Sequence, residues 1–265
     1  MLRHLLLLIA VLTAPSVFAL DSPLELRGLY AQQVDRRLDI PAEVQQHYAE
    51  LLDKQLQQGG LKLATQFVVL VDRNPKVQAL LMFWISEDGG FEFIGASPVS
   101  TGKKDGVEYF ETPVGVFDHS VANFDFRSEG TPNEQGIRGY GEKGLRVYDF
   151  GWVQARRTWR PGESTMRLLI HSTDPAQLER RLGTAQSKGC VRIPASLNRF
   201  IDYFGVLDAD YEQMQSKGKA PQVLRADRAH IAWSGRYLVV IDSGVRQRPA
   251  WSPLPAVKSH KLKNN

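Results

Sequence analysis

The chain has 265 residues, 43% of them hydrophobic, and its 33 Lys and Arg against 29 Asp and Glu leave a formal net charge of +4 at pH 7. That much apolar material supports one sizeable domain with appendages, and the single cysteine excludes an internal disulfide. The mild positive excess suits an anionic polymer as partner, but the absence of an aromatic-basic platform argues against nucleic acid, and His47, His119 and His230 stand too far apart along the chain to suggest a metal site.

Residues 1–19 read as a secretory leader. Arg3 precedes an apolar run over 5–12, and Val17-Phe18-Ala19 presents small residues where a signal peptidase cuts, so cleavage is expected after Ala19. The run is too short to span a bilayer comfortably. The sequence therefore predicts an exported protein without a stable transmembrane anchor. Within residues 20–60, Leu24, Leu26, Leu29, Val34 and Leu38 recur near helical spacing. Pro41 interrupts, Val44, Tyr48, Leu51, Leu52 and Leu56 resume the pattern, and Gly59-Gly60 ends it. A helical pair packing an amphipathic face on the main domain is expected.

From residue 61 the pattern turns to strands. Residues 64–71 form a buried run, Asn74-Pro75 marks a turn, 77–86 is a second run, Asp88-Gly89-Gly90 signals a hairpin, and 91–99 alternates. These β-branched and aromatic runs predict a mainly antiparallel sheet. Residues 118–140 read as loop. Gly136, Gly139 and Gly141 lack the strand, helix and spacing of a phosphate loop. Residues 145–153 and Thr158-Trp159 look like further strand. A closing strand is expected over 237–242 after a hairpin at 232–235. The domain thus spans 61–244, and the basic, proline-containing tail over 245–265 is expected to be loose.

Candidate chemistry centres on Cys190. The apolar run Met166, Leu168, Leu169, Ile170 delivers His171 like the end of a strand. A lone cysteine with a histidine elsewhere is a candidate nucleophile and base, because the thiolate is the reactive form and an imidazole can take its proton. Gly189 lets the backbone approach a substrate carbonyl. The amides of Lys188, Gly189 and Cys190 are candidate oxyanion donors. Between the two residues, 174–182 reads as a short helix with Asp174 as N-cap, ended by Gly183. It folds Cys190 back towards His171. A further helix is expected from Pro194.

Ser187-x-Gly189-Cys190-Val191-Arg192, with fifteen residues between His171 and Ser187, resembles the signature of the YkuD-type L,D-transpeptidases. Val99-Ser100-Thr101-Gly102 and Thr112-Pro113-Val114-Gly115-Val116-Phe117 are similar to two further blocks of that family, and the likeness covers roughly 65–243. Lys188 stands where the family usually has a second His. The resemblance implies a mainly β (α+β), β-sandwich-like catalytic domain, with 112–117 as the strand entering the cleft. It implies a periplasmic enzyme of the bacterial envelope, acting on peptidoglycan stem tetrapeptides without a cofactor. Cys190 would be the nucleophile and His171 the general base and acid. A backbone carbonyl, of Ser172 or Gly189, would orient the imidazole. Arg192, Ser187 and Lys188 would orient the site or bind substrate, and Tyr148 and Trp152, like Tyr140 and Trp159, are candidates for a lid over the cleft. D-Ala would leave, and the acceptor would be the amine of a neighbouring stem or, in a variant, of a wall-attached protein. Carbapenem-like inhibitors would acylate the same cysteine. A hydrolase or D-amino-acid exchange enzyme of the same fold, and an inactive wall-binding protein, are the alternative readings.

Overall fold

The computed structural model describes residue 20 and residues 22–61, 64–219 and 221–253; the expected leader and the tail beyond 253 lie outside them. Helix α1 (Pro23–Gln33) starts under Ser22, whose Oγ accepts from the Glu25 amide, with a proline at the helix start, where a missing N–H costs nothing. Helix α2 (Ala42–Gln58) follows Pro41 and stops at Gly59. Strands β1 (Gln66–Asp72), β2 (Ala79–Ile85) and β3 (Phe91–Pro98) form an antiparallel meander. Strand β4 (Gly115–Asp118) lies at the far edge, and β9 (Tyr237–Ile241) fits between β1 and β4, giving the order β3-β2-β1-β9-β4. A second sheet has the order β5-β6-β7-β8, from Phe126–Arg127, Arg146–Arg156, Glu163–Ser172 and Val191–Ile193.

Every residue of β1 is buried, because both faces of its sheet are covered. Val69 and Val71 face the second sheet, meeting Ile170, Val191 and helix α3 (Ala195–Phe204) in one core. Val68 and Leu70 face the other way and are roofed by Tyr48, Leu52 and Leu56 of α2. Leu52 and Leu56 are fully buried, each contributing about 1.5–3 kcal/mol. Helix α1 lies against β3 and α3; Tyr30 meets Phe200 edge-on at 5.3 Å, and its hydroxyl lies 2.6 Å from Ser97 Oγ. Both N-terminal helices are thus built into the two cores.

The pairings are mainly antiparallel, as expected, with two parallel exceptions, β1 with β9 and β7 with β8. Other expectations need correction. Strand β9 is interior, and its parallel pairing requires a crossover that no local hairpin supplies. Segment 174–182 is no α-helix: the Asp174 carboxylate accepts from the amides of Ala176, Gln177 and Arg138, and only a 3₁₀ turn forms over Glu179–Arg181. A piece this short does not repay helix nucleation. Helix α4 (Ala209–Ser216) was not expected, and only its Tyr211 is buried, so its sequence carries little periodicity. The start of the tail is docked: Trp251 packs on Tyr48 at 5.8 Å, and Arg248 donates to the carbonyls of Pro75 and Pro253.

Candidate active site

Parallel pairing of β7 and β8 sets His171 opposite Arg192 and leaves Cys190 at the mouth of β8. His171 is buried, and its Nδ1 lies 2.6 Å from the Ser172 carbonyl. A carbonyl only accepts, so Nδ1 carries the proton and Nε2 is left with a lone pair. Of the two expected orienting carbonyls, Ser172 is the one in contact. The Gly189 carbonyl is engaged elsewhere.

The Cys190 loop is clamped by the other sequence blocks. Thr112 Oγ1 donates to the Gly189 carbonyl at 2.7 Å and accepts from the Gly102 amide at 2.9 Å. Ser100 exchanges backbone hydrogen bonds with Arg192 at 3.0 and 2.9 Å. Ser187 Oγ accepts from the Gly189 amide at 3.0 Å and donates to the Cys190 carbonyl at 2.5 Å. Gly189 has φ +138°, and a Cβ there would lie 2.6 Å from Met166 Sδ, so only glycine fits. The Gly189 amide is consumed by Ser187 and is not an oxyanion donor, contrary to expectation. Among the described residues, the amides of Lys188 and Cys190 donate to no backbone carbonyl outside the regular elements, and the Cys190 amide favours its own thiolate.

The Cys190 thiol points to the Arg167 carbonyl at 3.8 Å. Burial pushes the thiol up, against backbone hydrogen bonding and the Arg192 charge, which favour the thiolate. Burial, followed by the Arg192 charge, pushes the His171 imidazolium down to about 4, with the Ser172 carbonyl pulling the other way. At neutral pH the resting pair is thiol and imidazole, and no standing thiolate is prepared. Proton transfer would accompany attack.

The remaining candidates divide. Tyr140 presents its ring edge-on to His171 at 4.9 Å and stays partly exposed. Trp152 is 69% exposed and pairs across the strands with Arg167. Tyr148 is fully buried, 4.9 Å from the Arg146 guanidinium carbon. It is a core residue and touches no cleft. The cause is a bulge between Asp149 and Trp152, at Gly151 with φ +80°, which reverses the facing of the strand. Trp159 packs on Phe110 at 5.2 Å. Lys188 is exposed, 3.6 Å from Glu108 and 5.7 Å from the Tyr109 ring.

Two groups escaped the sequence reading. Arg167 supplies the carbonyl that meets the thiol, and its guanidinium pairs with the buried Asp149 through Nε at 2.7 Å. Thr112 was read only as strand. A carboxylate and a guanidinium each interrupting an apolar strand were the available signal, but the register that joins them is long-range. Two pockets are lined by neighbours of the pair, and neither by Cys190 or His171 itself. One of about 410 Å³ is lined by Phe126, Gly139 and Tyr140 among others. Another of about 370 Å³ lies on the Lys188 and Arg192 side. Among the described residues no cluster of His, Cys, Asp and Glu could hold a metal, and no helix is long and apolar enough to cross a membrane.

A family model described as the L,D-transpeptidase catalytic domain, YkuD, matches residues 67–209. Among solved structures the chain is similar to the helical cell shape determining protein Pgp2 from Campylobacter jejuni, at 13% identity and a TM-score of 0.31, over 83% of this chain and 56% of that one. A mutant of the same Campylobacter protein aligns at 14% identity and a TM-score of 0.31, over 72% of this chain and 54% of that one. The chain thus spans about half the length of these structures. Comparison with the curated proteins gives no match.

Proposed function

The chain belongs to the YkuD L,D-transpeptidase family, which ties it to peptidoglycan, and on that premise we propose that it is a periplasmic cysteine transpeptidase acting on stem tetrapeptides. The carrying observation is the His171–Ser172 hydrogen bond, which leaves Nε2 as acceptor on the strand paired with β8, the strand that begins one residue after Cys190. Cys190 Sγ attacks the carbonyl of the third, diamino-acid residue as its proton passes to His171 Nε2. The Cys190 amide, with that of Lys188, receives the developing oxyanion. The imidazolium then protonates the departing nitrogen of D-Ala, leaving a thioester on Cys190. An amine of a neighbouring stem attacks the thioester and gives its proton to His171, which returns it to the Cys190 sulfur as the C–S bond breaks. The amide so formed replaces the one broken, so no ATP is consumed.

The reading is tested by incubating the mature protein, and a Cys190→Ala control, with purified disaccharide-tetrapeptide and analysing the products by mass spectrometry. Cross-linked dimers with released D-Ala are expected from the first and none from the second. Tripeptide alone would convert the assignment to a hydrolase, and incorporation of an added D-amino acid would make it an exchange enzyme. No product and no adduct on Cys190 would favour a wall-binding role.

A further inference from the structure

Gln78 is fully buried and stands at φ +50°, at the end of the turn that follows Asn74 and one residue before β2. Its backbone amide and that of Val77 both donate to the Asn74 carbonyl, at 3.0 and 2.8 Å. Glycine takes up this backbone conformation without strain, whereas a residue with a Cβ keeps it only where its surroundings hold it there. A glutamine in this place is explained by its side chain. Nε2 donates to the Arg73 carbonyl at 2.7 Å and to Thr101 Oγ1 at 2.8 Å, and Oε1 accepts from the Thr101 amide at 2.9 Å. Both hydrogens of the side-chain amide are spent on these two neighbours.

Both neighbours lead to the Cys190 loop. The Thr101 carbonyl accepts from the amides of Gln186 and Ser187, each at 3.0 Å, and Ser187 Oγ bridges the Gly189 amide and the Cys190 carbonyl. Arg73 Nη1 donates to the Thr112 carbonyl at 2.5 Å, and Thr112 Oγ1 donates to the Gly189 carbonyl. One buried amide thus stands at the root of two arms that grip Gly189 from opposite ends, its N–H through Ser187 and its carbonyl through Thr112. Gly189 carries φ +138° between these two grips, so together they set the peptide planes on either side of it and the place of the next residue, Cys190.

We propose that Gln78 is a positioning residue for the reaction at Cys190: its side-chain amide ties the two arms together and so holds the cysteine loop in register with His171, while contributing no group to the chemistry. The inference rests on the reading of Cys190 as nucleophile given above. Its signature is a loss in kcat with KM little changed, because the arms bear on the reacting sulfur and not on the grip of the enzyme on the bound peptide.

The test uses Gln78→Gly, which keeps the turn and loses the amide, Gln78→Met, which keeps the bulk and loses the amide, and Thr101→Val, which withdraws one acceptor from it. Circular dichroism and melting midpoints confirm folding, and steady-state kinetics use the disaccharide-tetrapeptide. Gln78→Gly and Gln78→Met are expected to lower kcat roughly 100-fold and Thr101→Val roughly 5-fold, with KM within about threefold of wild type in each. Combined with Thr112→Val, Gln78→Gly should lose less than the product of the separate losses, because both changes cut the same arm. Wild-type kcat in Gln78→Gly would mean that only the turn matters, and multiplicative losses with Thr112→Val would mean that the residue acts elsewhere. Either result overturns the proposal, as does a lowered melting midpoint with kcat intact. Should neither Gln78 variant fold, Thr101→Val decides: the expected loss in kcat supports the proposal and wild-type kcat overturns it. If wild type turns over no tetrapeptide, the nucleophile reading fails by itself. Hydrogen exchange over residues 184–192 then decides the positioning: the Ser187 and Gly189 amides should exchange at least roughly 10-fold faster in Gln78→Gly than in wild type while those of β6 keep their protection, and equal protection overturns it.

Discussion

Two arginines, one fully buried and one half-buried, are treated in opposite ways by their surroundings. Arg146 is completely enclosed, lying 4.9 Å from each of the rings of Tyr148 and Tyr211. It forms ion pairs at 2.7 Å with Asp125 and with Asp208, and a longer one at 3.5 Å with Asp202. Burial works to raise the Asp125 carboxyl, but His119 and Arg146 outweigh it and hold the group below the usual carboxylate range. Arg192, beside Cys190, has no such partner, and the two groups it faces are both driven towards their neutral forms. A compensated network of this kind holds α3, β6 and the segment before α4 together. An uncompensated one stores the capacity to receive charge from outside. The contrast separates scaffold from site without reference to sequence motifs.

The sharpest way to break the comparison is to remove each guanidinium. Arg146→Ala removes the cation shared by three buried carboxylates, leaving Asp125 to His119, Asp202 to Arg127 and Asp208 to Arg228, and should cost about 3–5 kcal/mol of unfolding free energy in urea titrations. Arg192→Gln removes a charge without a partner, so its midpoint should stay level or rise. Equal losses in the two variants would erase the distinction.

The next effect is a pH dependence. His171 sits at about 4 in the folded protein against roughly 6.5 when unfolded. Above pH 6.5 both states hold it neutral. As pH falls from 6.5 to 4 the unfolded state takes up a proton that the folded state refuses, so stability falls by about 3 kcal/mol. Wild type should therefore lose that much more than His171→Gln between pH 7 and pH 4, and the acid limb of kcat/KM should lie near 4. Parallel stability curves for the two proteins would contradict the burial of a neutral imidazole.

The smallest effect concerns the clamp on the cysteine loop. Thr112→Val removes the hydroxyl that joins the Gly189 carbonyl to the Gly102 amide. It should lower kcat by roughly 10-fold, the worth of about 1–2 kcal/mol of lost hydrogen bonding, with KM little changed. Thr112→Ser should restore most of it. A loss confined to melting temperature, with kcat intact, would make Thr112 purely structural.

These regions were unequally legible beforehand. Cys190 and His171 were readable as candidates, and so were the sequence blocks that converge on them, because each depends on short spacings and on residue types with few chemical roles; an orienting carbonyl, of Ser172 or Gly189, came only from the family resemblance. Arg146 was not read as a site of any kind, although it is the most enclosed cation described, because Asp125, Asp202 and Asp208 reach it from 21, 56 and 62 residues away. Tyr148 and Trp152 looked equivalent, four residues apart on one strand. A bulge between them turned one into the core and the other into solvent.

Alone, the sequence determined the helices before residue 60, the β1–β2–β3 meander and the helix from Pro194, since periodicity, caps and turns act over a few residues, and it named the cysteine and histidine as candidates. Tertiary structure alone decided that β9 enters the middle of its sheet, that the Gly189 amide is spent on Ser187, that Arg167 and Asp149 stand behind the thiol, and that Arg192 faces a pocket without a counter-charge. Each depends on strand register and on burial by distant segments, and those are set only when the two sheets close over their common core.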